Sequence, residues 1–96
     1  MVRYEFPEHP SKTGAMQVHV VAFARLRELL AGAEQSVELP DGARVDDAWS
    51  ALAQLHPALA AERRGTRAAR NGRLVAFEEI LADGDELALL PPVGGG

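Results

Sequence analysis

The 96-residue chain is predicted to fold as one small α+β domain, with the element order strand, short helix, strand, long helix, hairpin and strand. Residues 17–23 form an apolar, β-branched run that is typical of a central strand. Residues 45–55 carry apolar side chains at helical spacing, and Asn71-Gly72 is a strong signal for a two-residue hairpin turn. Hydrophobic residues make up 47% of the chain and charged residues 25%, so one modest core is expected.

Three parts can be distinguished along the chain. Residues 1–15 contain two prolines and mixed charge without periodicity, and they are interpreted as a flexible N-terminal arm. Residues 16–90 are predicted to form the folded domain, and residues 91–96 an extended C-terminal tail. The first strand follows the arm at once, and its apolar character on both faces indicates a place in the middle of the sheet.

A short helix and a second strand follow the first strand. Residues 25–31 carry leucines at i, i+3 and i+4, which predicts a helix, and Gly32 is predicted to adopt the left-handed conformation that often ends one. Residues 35–39 are predicted to form the second strand. The sequence Pro-Asp-Gly at residues 40–42 predicts the turn that ends it.

The main helix is predicted at residues 45–55, where apolar side chains recur at i, i+3, i+4, i+7 and i+10. Trp49, the only tryptophan, is expected to anchor the core. Arg44 is a poor residue type for the N-cap of this helix, and His56-Pro57 marks its expected end.

The last part of the domain is predicted to be a hairpin and a final strand. After an irregular stretch, residues 67–70 and 73–76 flank Asn71-Gly72 and should pair antiparallel. Asp83-Gly84-Asp85 predicts another turn, and residues 86–90 (ELALL) predict the final strand.

Composition excludes several classes of function. The chain has no cysteine, so it has neither disulfides nor zinc–thiolate sites, and any sulfur chemistry must use another group. A net charge of −4 argues against nucleic acid as a partner. No apolar run is long enough for a membrane span or a secretory signal, so a cytoplasmic location is expected. Five arginines form a local basic stretch that is interpreted as a solvated face: Arg63, Arg64, Arg67, Arg70 and Arg73.

The side chains suggest no catalytic or metal site. The three histidines have no spacing that would bring them onto one metal ion: His9, His19 and His56. Three carboxylates crowd one turn and are interpreted as solvated acids of that turn: Asp83, Asp85 and Glu86. No phosphate-binding glycine loop follows a strand, so the chain is not expected to bind ATP itself. The terminal α-carboxylate is the chemical group that remains.

The C-terminal tail has the properties of a tether for that carboxylate. Gly95 and Gly96 lack a Cβ, so the last peptide would pass through a channel too narrow for other residues. Pro91 and Pro92 fix φ and are predicted to hold the start of the tail away from the body. Six extended residues reach about 20 Å, far enough to enter a partner's active site. The competing interpretation is a frayed chain end or a cloning remnant.

The last strand is apolar on both faces, which indicates a docking surface beside the tail. Leu87 and Leu89 are predicted to pack inward on the long helix. Leu90, together with Phe23 and Leu74, is predicted to form an exposed apolar patch. The alternative is that a second helix covers this face.

With these motifs, the segment from Met16 to Gly96 resembles the ubiquitin-like sulfur carriers, and most closely those of molybdopterin synthase. Four ordered segments carry the resemblance: Phe23-Ala24 running into Leu26-Arg27-Glu28-Leu29, the hairpin Asn71-Gly72, the run LADGDEL at residues 81–87, and PPVGGG at residues 91–96. The resemblance implies a ubiquitin-like β-grasp fold, in which a mixed sheet with adjacent, parallel first and last strands curls around the main helix.

The resemblance also implies the chemistry of the tail. An E1-like adenylyltransferase would use ATP to adenylate Gly96, and a sulfur donor, a rhodanese or a cysteine desulfurase, would convert the adenylate to a thiocarboxylate. The tail would then enter the large subunit of molybdopterin synthase, where the sulfur passes to precursor Z during molybdenum cofactor biosynthesis. The carrier itself would bind no cofactor and no metal.

By the same resemblance, Phe23, Leu74 and Leu90 correspond to contact positions for the large subunit. The stretch from Pro91 and Pro92 through Val93 and Gly94 would guide the tail. Relatives often carry an aromatic residue at the place of Leu90 and a Ser or Thr at that of Gly94, so the identity of the partner stays open. The alternatives are a carrier for thiamine, cysteine or tRNA thiolation, a ubiquitin-like protein modifier, and a binding module whose tail has no function.

Overall fold

Five strands form one mixed sheet in a computed structural model of the chain, which describes residues 14–92. The strands are β1 (Ala15–Ala22), β2 (Glu34–Pro40), β3 (Arg67–Arg70), β4 (Arg73–Val75) and β5 (Glu86–Leu90). Their order in the sheet is β2-β1-β5-β3-β4. β1 and β5 pair in parallel and the other neighbours antiparallel, which confirms the expected adjacency of the first and last strands.

Two α-helices and one 3₁₀ helix connect the strands. They are α1 (Ala24–Leu29), α2 (Val45–Leu55) and the 3₁₀ helix Pro57–Gly65. The predicted main helix is therefore confirmed with its bounds. The 3₁₀ helix replaces the irregular stretch that was expected, and it begins at a proline, whose fixed φ suits the first turn.

The core lies between α2 and the inner face of the sheet. Trp49 of α2 is 5% exposed and makes an edge-on contact with Phe77, with ring centroids 6.1 Å apart, so it is confirmed as a core anchor. The sheet contributes alternate residues of its two central strands: Met16, Val18, Val20 and Ala22 of β1, and Leu87 and Leu89 of β5. This alternation follows from the period of two along a strand, and it leaves the opposite face free of the core.

Neighbouring carbonyls compensate for the poor N-cap of α2. The N–H groups of Val45 and Asp46 donate to the carbonyls of Glu79 and Phe77, at 2.9 Å each. The Asp47 carboxylate accepts the Arg44 N–H at 2.8 Å. The amides at the start of the helix are therefore satisfied by a distant loop and by an acid of the first turn rather than by the side chain of the N-cap residue.

Ala31, rather than Gly32, takes the left-handed position after α1. Ala31 has φ +60°, whereas Gly32 is outside the left-handed region and its N–H donates to Arg27 O at 3.0 Å. This bond, together with that from the Ala31 N–H to Glu28 O, has the pattern of a Schellman motif. The prediction for Gly32 was wrong by one residue, because the helix ends earlier than its leucine pattern.

Replacing Ala31 by glycine is expected to raise the free energy of unfolding by about 0.5 kcal/mol. The substitution removes the penalty of a Cβ in the left-handed region, partly offset by the greater entropy of glycine in the unfolded chain. Urea unfolding monitored by Trp49 fluorescence would measure the change. A loss of about 1 kcal/mol, as at an ordinary helical alanine, would contradict the assignment.

The strand boundaries differ from prediction by one or two residues. Ala15, assigned from sequence to the arm, lies in β1 and is 5% exposed. β1 ends at Ala22, before Phe23, and β4 ends at Val75 rather than at residue 76. These shifts arise because sheet pairing, which a local pattern does not contain, decides where a strand begins and ends.

Candidate functional site

The strand that leads into the C-terminal tail is held in the middle of the sheet. β5 pairs with β1 on one side and β3 on the other, and Leu87 and Leu89 are fully buried against the core, as predicted. The last residue of β5, Leu90, stands opposite Arg67 of β3. The tail therefore starts from a rigid part of the fold rather than from a loop.

An apolar row crosses the outer face of the sheet beside this strand. In register, Leu74 of β4 stands opposite Ala69 of β3, Ala69 opposite Ala88 of β5, and Ala88 beside Val21 of β1. At the same end of the sheet, Phe23 follows β1, and its N–H donates to Leu89 O at 3.3 Å. We define the outer patch as these apolar residues of the outer face: Val21, Phe23, Ala69, Leu74, Ala88 and Leu90.

No helix covers the outer patch within residues 14–92, although Val21, Ala88 and Leu90 are half-buried and Ala69 is buried. Phe23 and Leu74 are 45% and 56% exposed, and they are two of the most exposed large hydrophobic side chains there. The alternative of a helix over this face is wrong for this part of the chain. Beyond the patch on the same face lie polar pairs, such as His19 and Glu34 with 3.2 Å between Nε2 and Oε1. An apolar centre with a polar rim is typical of a protein-binding surface.

Pro92 lies against the body of the domain. A Cβ built on Gly65, the last residue of the 3₁₀ helix, would lie only 3.0 Å from Cγ of Pro92. The prediction that the prolines hold the start of the tail away from the body is therefore wrong for Pro92. Four of the predicted site residues lie outside the described residues: Val93, Gly94, Gly95 and Gly96.

Asp85 is buried and paired, which contradicts its interpretation as a solvated acid. Its carboxylate accepts bonds from Arg70 Nε at 2.6 Å, Asn71 Nδ2 at 2.8 Å and the Ala82 N–H at 2.7 Å. Burial on its own would raise the pKa of Asp85, but the bonds from Asn71, Ala82 and Arg70 together lower it. The turn before β5 is thereby tied to the hairpin between β3 and β4.

The basic stretch is also less solvated than predicted. Arg70 Nη1 donates to Glu79 at 3.0 Å in addition to its bond with Asp85, and both bonds, that to Asp85 first, raise its pKa. The Arg63 guanidinium lies 3.4 Å above the ring centroid of Phe77. Arg63 and Arg70 therefore make tertiary contacts. The local basic stretch does not indicate these contacts, because the partner residues are distant in sequence.

Within residues 14–92 there is no group of three or more His, Cys, Asp or Glu side chains that would hold a metal ion. In the same range no helix is long and apolar enough to cross a bilayer. The described residues present a tail root that is held in the sheet beside a partly exposed apolar face.

Known proteins are similar to this chain in sequence and in fold. A model described as the ThiS family matches residues 20–96. The molybdopterin synthase sulfur carrier subunit of Chlamydomonas reinhardtii is 40% identical over 83 residues, covering 84% of this chain and all of the relative. The small archaeal modifier protein 1 of Haloferax volcanii is also 40% identical, over 82 residues, covering 77% of this chain and 94% of the relative.

Solved structures agree with these sequence matches. A putative molybdopterin converting factor subunit 1 from Pyrococcus furiosus superposes with a TM-score of 0.74 at 36% identity, covering 81% of this chain and 99% of that one. A chain in the complex of subunits 1 and 2 of the Helicobacter pylori molybdopterin-converting factor gives a TM-score of 0.59 at 26% identity, covering 84% and 100%. A Caldiarchaeum subterraneum ubiquitin, at 22% identity, TM-score 0.58 and coverage of 86% and 100%, supports the ubiquitin-like β-grasp fold alone.

Proposed function

The chain belongs to the ThiS family of ubiquitin-like sulfur carriers, and on this premise we propose that it is the sulfur carrier subunit of a molybdopterin synthase. The proposal depends above all on the continuity of β5 with the tail. A buried strand, paired on both sides, runs directly into Pro91, Pro92 and the terminal glycines, beside an uncovered apolar face. Such a strand holds the root of the tail in a fixed place, and such a face is suited to docking a partner.

The proposed chemistry takes place at the carboxylate of Gly96. A carboxylate is a poor electrophile, so one of its oxygens first attacks the α-phosphate of ATP in an E1-like adenylyltransferase, and pyrophosphate leaves. The outer sulfur of a persulfide on a rhodanese or a cysteine desulfurase then attacks the acyl carbon, AMP leaves, and an acyl disulfide forms between carrier and donor. A second thiol attacks the donor's sulfur in this disulfide, forms a disulfide with it, and displaces the carrier. The product is a thiocarboxylate, whose sulfur is a good nucleophile. The carrier binds no cofactor of its own in this scheme, and its location is the cytoplasm.

The outer patch is the proposed contact surface for the large subunit of the synthase. Phe23, Leu74 and Leu90 would bury their exposed apolar atoms there, while Pro91 and Pro92 would direct Val93 and Gly94 into the active site of the partner. The similarity to a chain in the Helicobacter pylori two-subunit complex supports a protein partner. In that partner the thiocarboxylate sulfur would pass to precursor Z.

Intact-mass analysis tests the carrier function directly. The chain is incubated with an E1-like activating enzyme, ATP and a sulfur donor, and we expect one oxygen at the C-terminus to be replaced by sulfur. A variant that lacks Gly96 is the matched control and should acquire no sulfur, because the new terminus has lost one residue of reach. If the full-length chain also acquires none, the carrier hypothesis fails.

The identity of the acceptor needs a separate experiment. Purification of the tagged chain from its own cells should recover a large synthase subunit if the molybdopterin assignment is right. Recovery of a thiazole synthase alone would instead assign the chain to thiamine synthesis. Partners of cysteine synthesis or tRNA thiolation would redirect the assignment in the same way.

A protein modifier is the second candidate function, because the small archaeal modifier protein 1 matches at 40% identity. In that role Gly96 would form an isopeptide bond with lysines of targets. The only lysine of the chain is Lys12, so self-linked chains from residues 14–92 are excluded. Adducts of higher mass that survive denaturing electrophoresis of a cell extract, and that disappear when Gly96 is removed, would support this candidate.

A further inference from the structure

The antiparallel register of β3 and β5 continues past the last paired residues. Arg67 stands opposite Leu90, so two residues further along each chain Gly65 comes opposite Pro92. Pro91 and Pro92 have no N–H to donate, and the hydrogen-bonded ladder therefore stops at Leu90. Beyond Leu90 the two segments meet through a side chain instead of backbone hydrogen bonds. The ring of Pro92 lies against Gly65.

A Cβ at residue 65 would crowd this contact, so Pro92 would have to shift by a few tenths of an ångström. A Cβ there would lie 3.0 Å from Cγ, 3.3 Å from Cβ and 3.5 Å from Cδ of Pro92. Gly65 does not have a left-handed φ, so its backbone conformation is open to alanine. What glycine provides at this position is space for the ring of Pro92.

The Gly65 side of the contact is fixed by its neighbour. Thr66 is 6% exposed, its N–H donates to Arg63 O at 3.2 Å, and its hydroxyl donates to Glu62 O at 2.6 Å. These bonds close the end of the 3₁₀ helix and hold Gly65, its last residue, two positions before β3. Pro92 is exposed and lies next to the tail, so it is the partner that would yield if a Cβ were added.

We propose that Gly65 is a positioning residue, which seats Pro92 and thereby sets the direction in which the tail leaves the domain. The role in sulfur transfer rests on the function proposed above. A tail that leaves in one direction loses less conformational entropy on entering a partner's channel than a tail free to rotate at its root. We call this contact between Gly65 and Pro92 the seat. The seat acts when the tail enters the partner, whereas the outer patch acts when the partner binds the domain.

The seat itself is tested by NMR on the free protein. We expect nuclear Overhauser contacts between the Hα protons of Gly65 and the ring protons of Pro92, and their loss in Gly65→Ala. This measurement requires neither ATP nor a partner. Absence of the contacts in the unchanged protein would overturn the proposal, whatever the function of the tail.

The effect on function is tested by the kinetics of thiocarboxylate formation with the activating enzyme, ATP and a sulfur donor. Gly65→Ala is expected to lower kcat about tenfold with little change in KM. The substitution leaves the exposed side chains of the domain unchanged, so binding of the activating enzyme should be preserved, but it misdirects the tail. Gly32→Ala is the matched control, since Gly32 also has no left-handed φ and has nothing within 4 Å of an added Cβ. Equal kcat values for the two variants would overturn the positioning role.

A double variant shows whether the effect passes through Pro92. Pro92→Gly removes all three ring atoms near residue 65, so in this background Gly65→Ala should change kcat no more than Gly32→Ala does. An undiminished loss in that background would mean that Gly65 acts by another route, and the proposal would be wrong. If the unchanged chain acquires no sulfur at all, the proposed function fails, while the NMR result still decides the seat.

Discussion

Phe23→Asp is expected to weaken binding of the proposed large synthase subunit by about 100-fold, or close to 3 kcal/mol, without harm to the fold. The aromatic ring is 45% exposed in the free chain, so the substitution removes little core packing. In a complex it would place an unpaired carboxylate among apolar atoms that exclude water. Phe23 is also the N-cap residue of α1, a position where aspartate is preferred, so the variant should be at least as stable as the parent.

Leu55→Asp provides the matched control for this substitution. Leu55 is 44% exposed, almost the same as Phe23, but it lies at the end of α2, on the other side of the sheet. Titration calorimetry should therefore give nearly parental affinity for Leu55→Asp and a large loss for Phe23→Asp. Equal affinities of the two variants would show that the outer patch is not the docking surface.

Leu74→Asp extends the test to the far end of the outer patch. Leu74 is 56% exposed on the short edge strand β4, and we expect a loss of affinity of about 2 kcal/mol. Ile80→Asp is its control, with a side chain that is 51% exposed beside the start of α2. A loss confined to Phe23 would restrict the contact surface to the root of the tail.

The second large effect is expected at Asp85, where Asp85→Asn should lower the free energy of unfolding by about 3 kcal/mol at neutral pH. One carboxylate oxygen accepts from Asn71, and the other accepts from both Arg70 and Ala82. Whichever way an asparagine amide is oriented, its NH₂ group faces at least one of these donors, where a hydrogen-bond acceptor is needed. The part-buried guanidinium–carboxylate bond is lost at the same time.

The pH dependence gives this prediction its signature. Because the pKa of Asp85 is lowered from its ordinary value of 3.8, the folded state binds its proton more weakly than the unfolded state does. The stabilisation by Asp85 is fully present above about pH 4 and is lost as the pH falls through the folded-state pKa below that value. The difference between the parent and Asp85→Asn should therefore shrink in strong acid.

Asp83→Asn serves as the control in the same turn. Asp83 is exposed, and within residues 14–92 its carboxylate accepts the Gln17 N–H at 2.7 Å, which an asparagine oxygen can also accept. We expect a change in unfolding free energy below about 0.5 kcal/mol. Urea unfolding between pH 3 and pH 7 would compare the three proteins. A pH-independent difference between parent and Asp85→Asn would show that Asp85 acts through packing and not through its charge.

The sequence was informative where an element is defined by its own residues. The helical spacing around Trp49 placed α2 with its bounds, and Asn71-Gly72 placed the hairpin, because both residues of that turn need a positive φ, which they have. Alternation in β5 also predicted that Leu87 and Leu89 face the core, whereas Leu90, which was predicted to be exposed, is half-buried. These features depend on spacings of two to four residues, which a single segment contains.

Local patterns did not reveal the features that depend on distant parts of the chain. The local sequence predicts that Asp85 is a solvated turn residue, because none of its neighbours in sequence indicates that Arg70 and Asn71 are its partners. Gly65 gave no signal of its own, because its importance arises from Pro92, which the register of β3 and β5 brings opposite it. Ala31 took the left-handed position because packing, rather than the leucine pattern, ended α1.

For this protein, the residue pattern was sufficient for the order of the elements that precede the tail, because each element is defined by spacings within its own segment. The folded structure was needed to show where that tail begins. The direction in which the tail leaves the domain follows from the pairing of Leu90 with Arg67 and from the contact of Pro92 with Gly65. The two residues of each pair lie more than twenty positions apart in the chain.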